Sequence, residues 1–171
     1  FNDGRQEKGV MGRVWVVETP QQDDFTELCQ VWEDSVRATH DFLPDRYIQE
    51  LRELVAHAYL KAVKLICCKD PLTGRIVGFC GIHADKVEML FIDPEYRGRG
   101  VGKTLLRHAI DNLHAVQLDV NVQNPQAIGF YFKQGFEVIG RSETDGMGEP
   151  YPLLHLRYKR TTPAQGKCSR A

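Results

Sequence analysis

The stretch EYRGRGVGKTLL, residues 95–106, is the densest glycine cluster of the chain and ends like an ATP-binding P-loop, in Gly102-Lys103-Thr104. A P-loop requires another glycine at position 97, where Arg97 stands instead. A dinucleotide-binding G-x-G-x-x-G pattern also fails, because the glycines at 98, 100 and 102 alternate. The pattern that matches is R/Q-x-x-G-x-G/A, which runs from Arg97 to Gly102.

This loop leads directly into a segment with helical spacing, GVGKTLLRHAIDNL. Helix N-termini offer unpaired N–H groups and a favourable dipole to anions, and glycines let the backbone approach phosphate oxygens closely. Arg97, Arg99 and Lys103 add positive charge. The loop therefore predicts a pyrophosphate cradle, with a glycine-rich turn that binds nothing as the alternative.

Hydrophobic spacing before the loop predicts a first strand at 13–19 and a helix after it, with Asp24 and Glu27 resembling a capping box. Pro44 is predicted to open a second helix. Three short apolar runs, KLICCKD, RIVGFCGI and KVEMLFID, then predict strands joined as hairpins.

After the loop the spacing predicts a helix, a strand, a second helix and two closing strands. Asn124 suits the N-cap of that second helix, Pro125 its first position and Gly135 the position past its end. The order β-α-α-β-β-β-α-β-α-β-β predicts an α/β domain with a mixed, mainly antiparallel sheet and helices on both faces.

Composition narrows the function classes. The 171 residues suffice for one domain, and a net charge of −1 favours neither nucleic acid nor an anionic membrane as partner. No apolar run approaches the roughly 18–20 residues of a membrane span. The five cysteines lack a C-x-x-C pair and the histidines lack H-x-x-x-H spacing, which predicts free thiols in a cytoplasmic protein without a metal. We expect residues 1–12 to be disordered or foreign to the natural protein, 13–159 to form the domain, and 160–171 to be a polar tail.

Two longer segments carry a family resemblance: MLFIDPEYRGRGVG followed by a helix, and LDVNVQNPQAIGFYFKQGFEVIGRSE. They resemble the GNAT superfamily of acetyl-coenzyme A-dependent N-acetyltransferases, and the match extends over roughly residues 13–158. The segments SVRATHDFLP and GRSETDGMGEPYPLLHL further resemble a subfamily of small bacterial GNAT proteins, the YjaB-like proteins. The resemblance implies that the strand before the loop and the strand after its helix splay apart into a V.

The resemblance also implies how acetyl-CoA is bound. Backbone groups of Leu90, Phe91 and Ile92 would bond the pantetheine arm as an added strand does, with the N–H near Ile92 at the thioester carbonyl. Asn124 matches the family asparagine that contacts pantetheine, and Tyr131 the tyrosine that protonates the leaving thiolate. The residues expected around the pyrophosphate are Arg97, Gly98, Arg99, Gly100, Val101, Gly102 and Lys103.

The general base stays open at this point. Asp119 and Glu88 lie on the two arms of the expected V, and His83 has a side chain that titrates near neutral pH. Lys86 stands where some relatives carry a glutamate. A water chain without a direct base is the remaining alternative.

The acceptor pocket is expected between two connections. One carries His40, Asp41 and Phe42, and the other carries Asp145, Tyr151 and Pro152. The predicted reaction is direct attack of a primary amine, from a small molecule or a protein, on the acetyl group in a ternary complex, by a monomer or homodimer. The alternatives are an enzyme that uses a longer acyl-CoA and a catalytically idle CoA-binding module. A covalent acetyl-cysteine is disfavoured by the apolar surroundings of the cysteines.

Overall fold

The computed structural model describes residues 14–160. Its strands are β1 Val17–Glu18, β2 Lys64–Lys69, β3 Ile76–His83, β4 Lys86–Ile92, β5 Gln117–Asn121, β6 Phe136–Ser142 and β7 Leu153–Tyr158. Its α-helices are α1 Phe25–Thr39, α2 Asp45–Leu54, α3 Val101–Leu113 and α4 Pro125–Lys133. A π-helical turn, Val55–Tyr59, extends α2, and short 3₁₀ turns precede α1 and α3. The predicted order of strands and helices is confirmed.

Within the described residues the strands form one sheet in the order β1-β2-β3-β4-β5-β7-β6. Every neighbouring pair is antiparallel except β4 and β5. That parallel pair is short, because only Lys86 opposite Gln117 and Val87 opposite Leu118 are in register. Beyond Val87 the two strands separate, which confirms the mixed sheet with a splayed parallel pair.

A β-bulge coincides with the point of separation. Gly81 of β3 lies opposite Met89, but the next residue, Ile82, lies opposite Val87. Glu88 is therefore an extra residue on β4. A bulge increases the local twist and bends its strand, so β4 turns away from β5 while it keeps its pairing with β3.

Separate hydrophobic cores cover the two faces of the sheet. On one face, α3 and α4 pack Leu105, Leu106 and Tyr131 against Leu118 and Leu156. On the other face, α1 and α2 contribute a second core whose main residues are Leu28, Trp32, Ile48, Phe79 and Phe91. The expectation of helices on both faces is confirmed. No helix within residues 14–160 combines the length and the apolar character that crossing a membrane requires.

Several local predictions need correction. Among the described residues of the predicted first strand, only Val17 and Glu18 pair with β2. Trp15 instead packs into the core, and its indole N–H donates to the carbonyl of Arg99 at 2.7 Å. The capping box at Asp24 and Glu27 is wrong. Asp24 accepts from the backbone N–H of Gln21, and Glu27 accepts from the N–H of Ile76 at 2.6 Å.

The other predicted helix ends fit more closely. Pro44 precedes α2 as its cap residue. The side chain of Asn124 accepts from the N–H of Ala127 at 3.3 Å with Pro125 next to it, and Gly135 past α4 has a φ of 101°. The predictions for the two chain ends concern residues outside the described range, apart from Arg160.

Gly78 is needed where β3 passes beneath α3. A Cβ at this position would lie 2.7 Å from Val101 Cγ1 and 2.8 Å from Ile92 Cδ1, both inside the core. We expect Gly78→Ala to lower the free energy of unfolding by about 1–3 kcal/mol through overpacking. Urea denaturation followed by circular dichroism measures this change.

Gly129 provides the matched control, because it lies inside α4 and a Cβ there meets nothing within 4 Å. Gly129→Ala should raise the free energy of unfolding by about 0.5–1 kcal/mol, since glycine is the poorer helix former. Equal effects of the two substitutions would contradict the steric explanation.

Candidate active site

A cavity of about 500 Å³ opens where β4 and β5 separate. Both arms of the V, the glycine loop, one face of α4 and the end of α1 form its walls. The predicted site residues that line it are His40, Glu88, Leu90, Phe91, Ile92, Arg97, Gly98, Gly100, Val101, Gly102, Lys103, Asp119, Asn124 and Tyr131. Segments from five places in the sequence thus meet around one space.

The glycine loop has the conformation that an anion cradle requires. Gly98 and Gly100 have φ values of 71° and 86°, in the left-handed region that other residues rarely adopt. Gly100 is the N-cap of α3 and has no side chain to bond the N–H groups of the first turn. These amides, together with the charges of Arg97 and Lys103, fit a pyrophosphate group.

Arg99 differs from its neighbours in the loop. Its guanidinium lies over the ring of Tyr96, 4.9 Å from the ring centroid, and it does not line the cavity. Its carbonyl is the group that accepts from Trp15. The contacts of Arg99 therefore hold the loop in place.

Tyr131 is buried in the wall formed by α4, with 9% of its surface exposed. Its ring packs against Phe130 and Phe136, with centroids 5.4 and 5.9 Å away. Burial, aided by the nearby thiol of Cys80, raises the pKa of the Tyr131 phenol well above its ordinary value. The phenol is therefore in its protonated form at neutral pH, as an unshifted tyrosine also is, and holds a proton that it can donate.

Asp119 is held by two basic side chains. One carboxylate oxygen lies 2.7 Å from Lys86 Nζ, and the other lies 2.6 Å from His155 Nδ1. Burial alone would raise the pKa of Asp119, but the hydrogen bonds from Lys86 and His155 outweigh it and hold the pKa below its ordinary value. His155 Nε2 in turn lies 2.6 Å from Ser142 Oγ.

Of the other two candidates for the general base, Glu88 lies at the cavity and His83 does not. Glu88 is the extra residue of the bulge and lies exposed at the cavity. His83 lies exposed at the end of β3 and does not line the cavity.

The expected acceptor walls are joined by a series of rings. His40 contacts Phe42, Phe42 contacts Tyr151, and Tyr151 contacts Tyr47, with centroids 5.4 to 5.7 Å apart. The Tyr47 hydroxyl donates to Asp145 at 2.5 Å. The connection after α1 and the β6–β7 connection are therefore tied together beside the cavity. Asp41 lies exposed next to this cluster.

Several of these residues were missed at the level of the sequence. Tyr47 fits the apolar stripe of α2, and Ser142 and His155 read as ordinary strand residues. His155 meets Asp119 only because β5 and β7, which are distant in sequence, pair at these two positions. Neither spacing nor composition carries that information.

One further polar group at the cavity is the side chain of Asn121. The side-chain oxygen of Asn121 is buried without a hydrogen bond from the described residues. Leaving such a group unpaired costs on the order of 1–3 kcal/mol.

The cysteines within residues 14–160 are poorly suited to act as nucleophiles. Cys29, Cys67, Cys68 and Cys80 are buried and free. Burial raises the pKa of Cys67 to about 11 and that of Cys80 to about 12, so both are thiols rather than nucleophilic thiolates at neutral pH. Within residues 14–160, no group of three or more potential metal ligands comes together.

Comparison with known proteins agrees with this geometry. Residues 61–138 match the model of the acetyltransferase (GNAT) domain. The peptidyl-lysine N-acetyltransferase YjaB of Salmonella typhimurium is 44% identical over 138 residues, which cover 81% of this chain and 94% of that protein. The chain belongs to the GNAT superfamily of acetyltransferases. It is thus an N-acetyltransferase by family, as the resemblance implied.

Solved GNAT structures share the fold. The solution structure of apo YjaB from Escherichia coli superposes with a TM-score of 0.76 at 41% identity, and the match covers 85% of this chain and 98% of that one. The PaiA N-acetyltransferase of Thermoplasma acidophilum, solved in complex with coenzyme A, has a TM-score of 0.60 at 22% identity, covering 85% of this chain and all of that one. At that identity the likeness concerns the fold alone.

His40 should make the stability of this GNAT domain depend on pH. Burial, and next the charge of Arg97, lower the pKa of His40 from 6.5 to about 4, against the opposing effect of Asp41. The unfolded chain therefore binds the proton more readily than the folded one, and stability is lost as the pH falls from about 6.5 towards 4. The pKa difference corresponds to at most about 3 kcal/mol.

We expect His40→Asn to flatten this part of the pH–stability curve, measured by urea denaturation at several pH values between 7 and 4. The control is His83→Asn, the same substitution at an exposed histidine outside the cavity, against which the curve of His40→Asn is compared. A slope that survives His40→Asn would show that other groups produce it.

Proposed function

We propose that this protein transfers the acetyl group of acetyl-CoA to the primary amine of a lysine side chain in a polypeptide, by direct attack in a ternary complex. The observation that carries the proposal is one cavity with the anion cradle at one wall and the buried, protonated Tyr131 at another. The peptidyl-lysine activity named for the YjaB relative supports lysine as the acceptor.

The free edge of β4 suits the pantetheine arm. Beyond Val87, β4 pairs with β3 on one side only, and backbone groups of Leu90 and Ile92 face the gap left by β5. Amides of a bound ligand can bond such an edge as an added strand does. The acetyl thioester supplies the activated acyl group when it is bound, and an N–H near Ile92 is proposed to polarise its carbonyl.

With the pantetheine arm along β4, the other proposed contacts to acetyl-CoA come from the glycine loop and from α4. Arg97, Lys103 and the amides of the first turn of α3 are proposed to hold the pyrophosphate. Asn124 uses its side-chain oxygen as the helix cap, which leaves its amide nitrogen to face pantetheine. Tyr131 is proposed to donate its proton to the leaving sulfur.

Glu88 is the base that the surroundings favour. Both oxygens of Asp119 are engaged by basic groups, and its lowered pKa makes it a weak proton acceptor. Glu88 lies exposed at the same cavity, on the bulge that opens it. We therefore assign proton removal from the amine to Glu88 and the orientation of Lys86 and His155 to Asp119.

Removal of the Tyr131 hydroxyl tests the enzyme hypothesis. We expect Tyr131→Phe to lower kcat by about 10²–10⁴-fold, because the leaving thiolate loses its proton donor. The binding constant for acetyl-CoA should stay within about threefold, since the ring packing remains. Thiol release with a panel of lysine peptides measures kcat, and calorimetry measures binding.

The matched control is Tyr158→Phe, which removes a hydroxyl bonded to Arg107 away from the cavity. Its kcat should equal that of the wild type. Equal background rates for the wild type and Tyr131→Phe on every amine would instead indicate an idle CoA-binding module. The same assay, run with longer acyl-CoA donors, determines the acyl chain that the enzyme prefers.

A second pair of variants distinguishes the role proposed for Glu88 from that proposed for Asp119. Glu88→Gln should lower kcat/KM at neutral pH and remove the acidic limb of the pH–rate profile, because the base is gone. Asp119→Asn should keep that limb but lower the free energy of unfolding, because Lys86 loses its counter-charge. The opposite assignment of the two effects would make Asp119 the base.

A further inference from the structure

Asn121 lies at the end of β5, where the strand borders the cavity. Its side-chain oxygen is buried and receives no hydrogen bond from the residues that the structure describes. Buried polar atoms are nearly always paired, so each exception requires an explanation. Because this one lies at the wall of the candidate active site, a bound ligand is a natural source of the missing donor.

The face of the sheet to which the Asn121 side chain points indicates which ligand could reach it. Leu118 and Val120 pack into the core under α3 and α4, and side chains alternate along a strand. Asn121 therefore points to the opposite face, as does Asp119 with its contacts to Lys86 and His155. The glycine cradle lies at the start of α3, so Asn121 is directed away from the pyrophosphate end.

The residues near Asn121 on that face are those of the expected acceptor pocket. Asn121 pairs with Leu153 of β7, two residues beyond Tyr151 of the aromatic cluster. Ser35 and His40 of the α1 segment line the same cavity. A group that enters past the rings of Phe42 and Tyr151 thus approaches the end of β5.

The side-chain oxygen of Asn121 is chemically suited to an amine. An amide oxygen accepts hydrogen bonds, and an attacking amine carries N–H donors. The oxygen of Asn124 is already bonded to Ala127, which leaves that of Asn121 available. A neutral oxygen also orients the nitrogen without favouring its protonated form as strongly as a carboxylate does.

We infer that the Asn121 side-chain oxygen accepts a hydrogen bond from the acceptor amine and so orients it for attack. The inference rests on the proposed function and deepens it. It makes Asn121 a determinant of acceptor binding, separate from the residues proposed to hold acetyl-CoA.

The test uses Asn121→Leu, which removes the acceptor atom at similar size. With lysine peptides at saturating acetyl-CoA, the KM for the peptide should rise by about two- to tenfold, the loss expected for one hydrogen bond to a neutral amine. The binding constant for acetyl-CoA should stay within about twofold. The stability to urea should be unchanged or higher, because an unpaired buried atom has been removed.

Asn121→Asp supplies a readout that a purely structural role would not move. The carboxylate still accepts from the amine, so the KM for the peptide should be retained. It also stabilises the ammonium form, so the rate optimum should shift to higher pH. The control is Gln123→Leu, which changes an exposed amide outside the cavity and should behave as the wild type.

The contrary outcomes are distinct. Unchanged peptide KM in Asn121→Leu, with an active wild type, overturns the inference alone. Weaker acetyl-CoA binding in that variant would show that the Asn121 oxygen contacts the pantetheine arm. A parallel loss of stability and activity would show that the oxygen serves the fold. Either result overturns the inference. A wild type that releases no thiol with any lysine peptide overturns the proposed function, and the inference with it.

Discussion

The separation of β4 from β5 after two paired residues is the constraint on which the site depends. The bulge at Glu88 bends β4 away, while β3 holds it from the other side. A parallel sheet interrupted in this way leaves backbone groups without strand partners, and unpaired backbone groups are costly unless solvent or a ligand bonds them. On both faces of the sheet, hydrophobic cores pack against the strands that border the gap.

The charges around the gap are divided between its two sides. The cradle side carries Arg97, Lys103 and the start of α3, which suits an anion. On the opposite face, Lys86 and His155 neutralise Asp119. This division leaves Glu88 as the exposed carboxylate at the bulge and the Asn121 oxygen as a neutral acceptor. Under the proposed function, a positively charged amine and a negatively charged pyrophosphate would occupy one cavity without competing for the same groups.

Contacts between distant segments hold these groups in place. Trp15 bonds the loop at Arg99, and Tyr47 bonds Asp145 across the acceptor wall. The loop and the acceptor wall are the least regular parts of the fold, and the loop takes its shape from glycines at positive φ. Each long-range hydrogen bond supplies the restraint that regular secondary structure supplies elsewhere.

From the sequence alone one could predict the order of elements, the caps at Asn124 and Gly135 and the family, because these depend on periodicity and short motifs that are local in the chain. The anion loop stays a prediction from its motif. The sequence pattern failed at Asp24 and Glu27, where a capping motif was outweighed by contacts with Gln21 and Ile76. The sequence did not indicate that Asp119 meets His155, that Arg99 turns onto Tyr96, or that no hydrogen bond from residues 14–160 reaches the oxygen of Asn121. The physical reason is strand register: which side chains meet across β5, β7 and β4 depends on the pairing of segments far apart in the sequence, and no local pattern records that pairing.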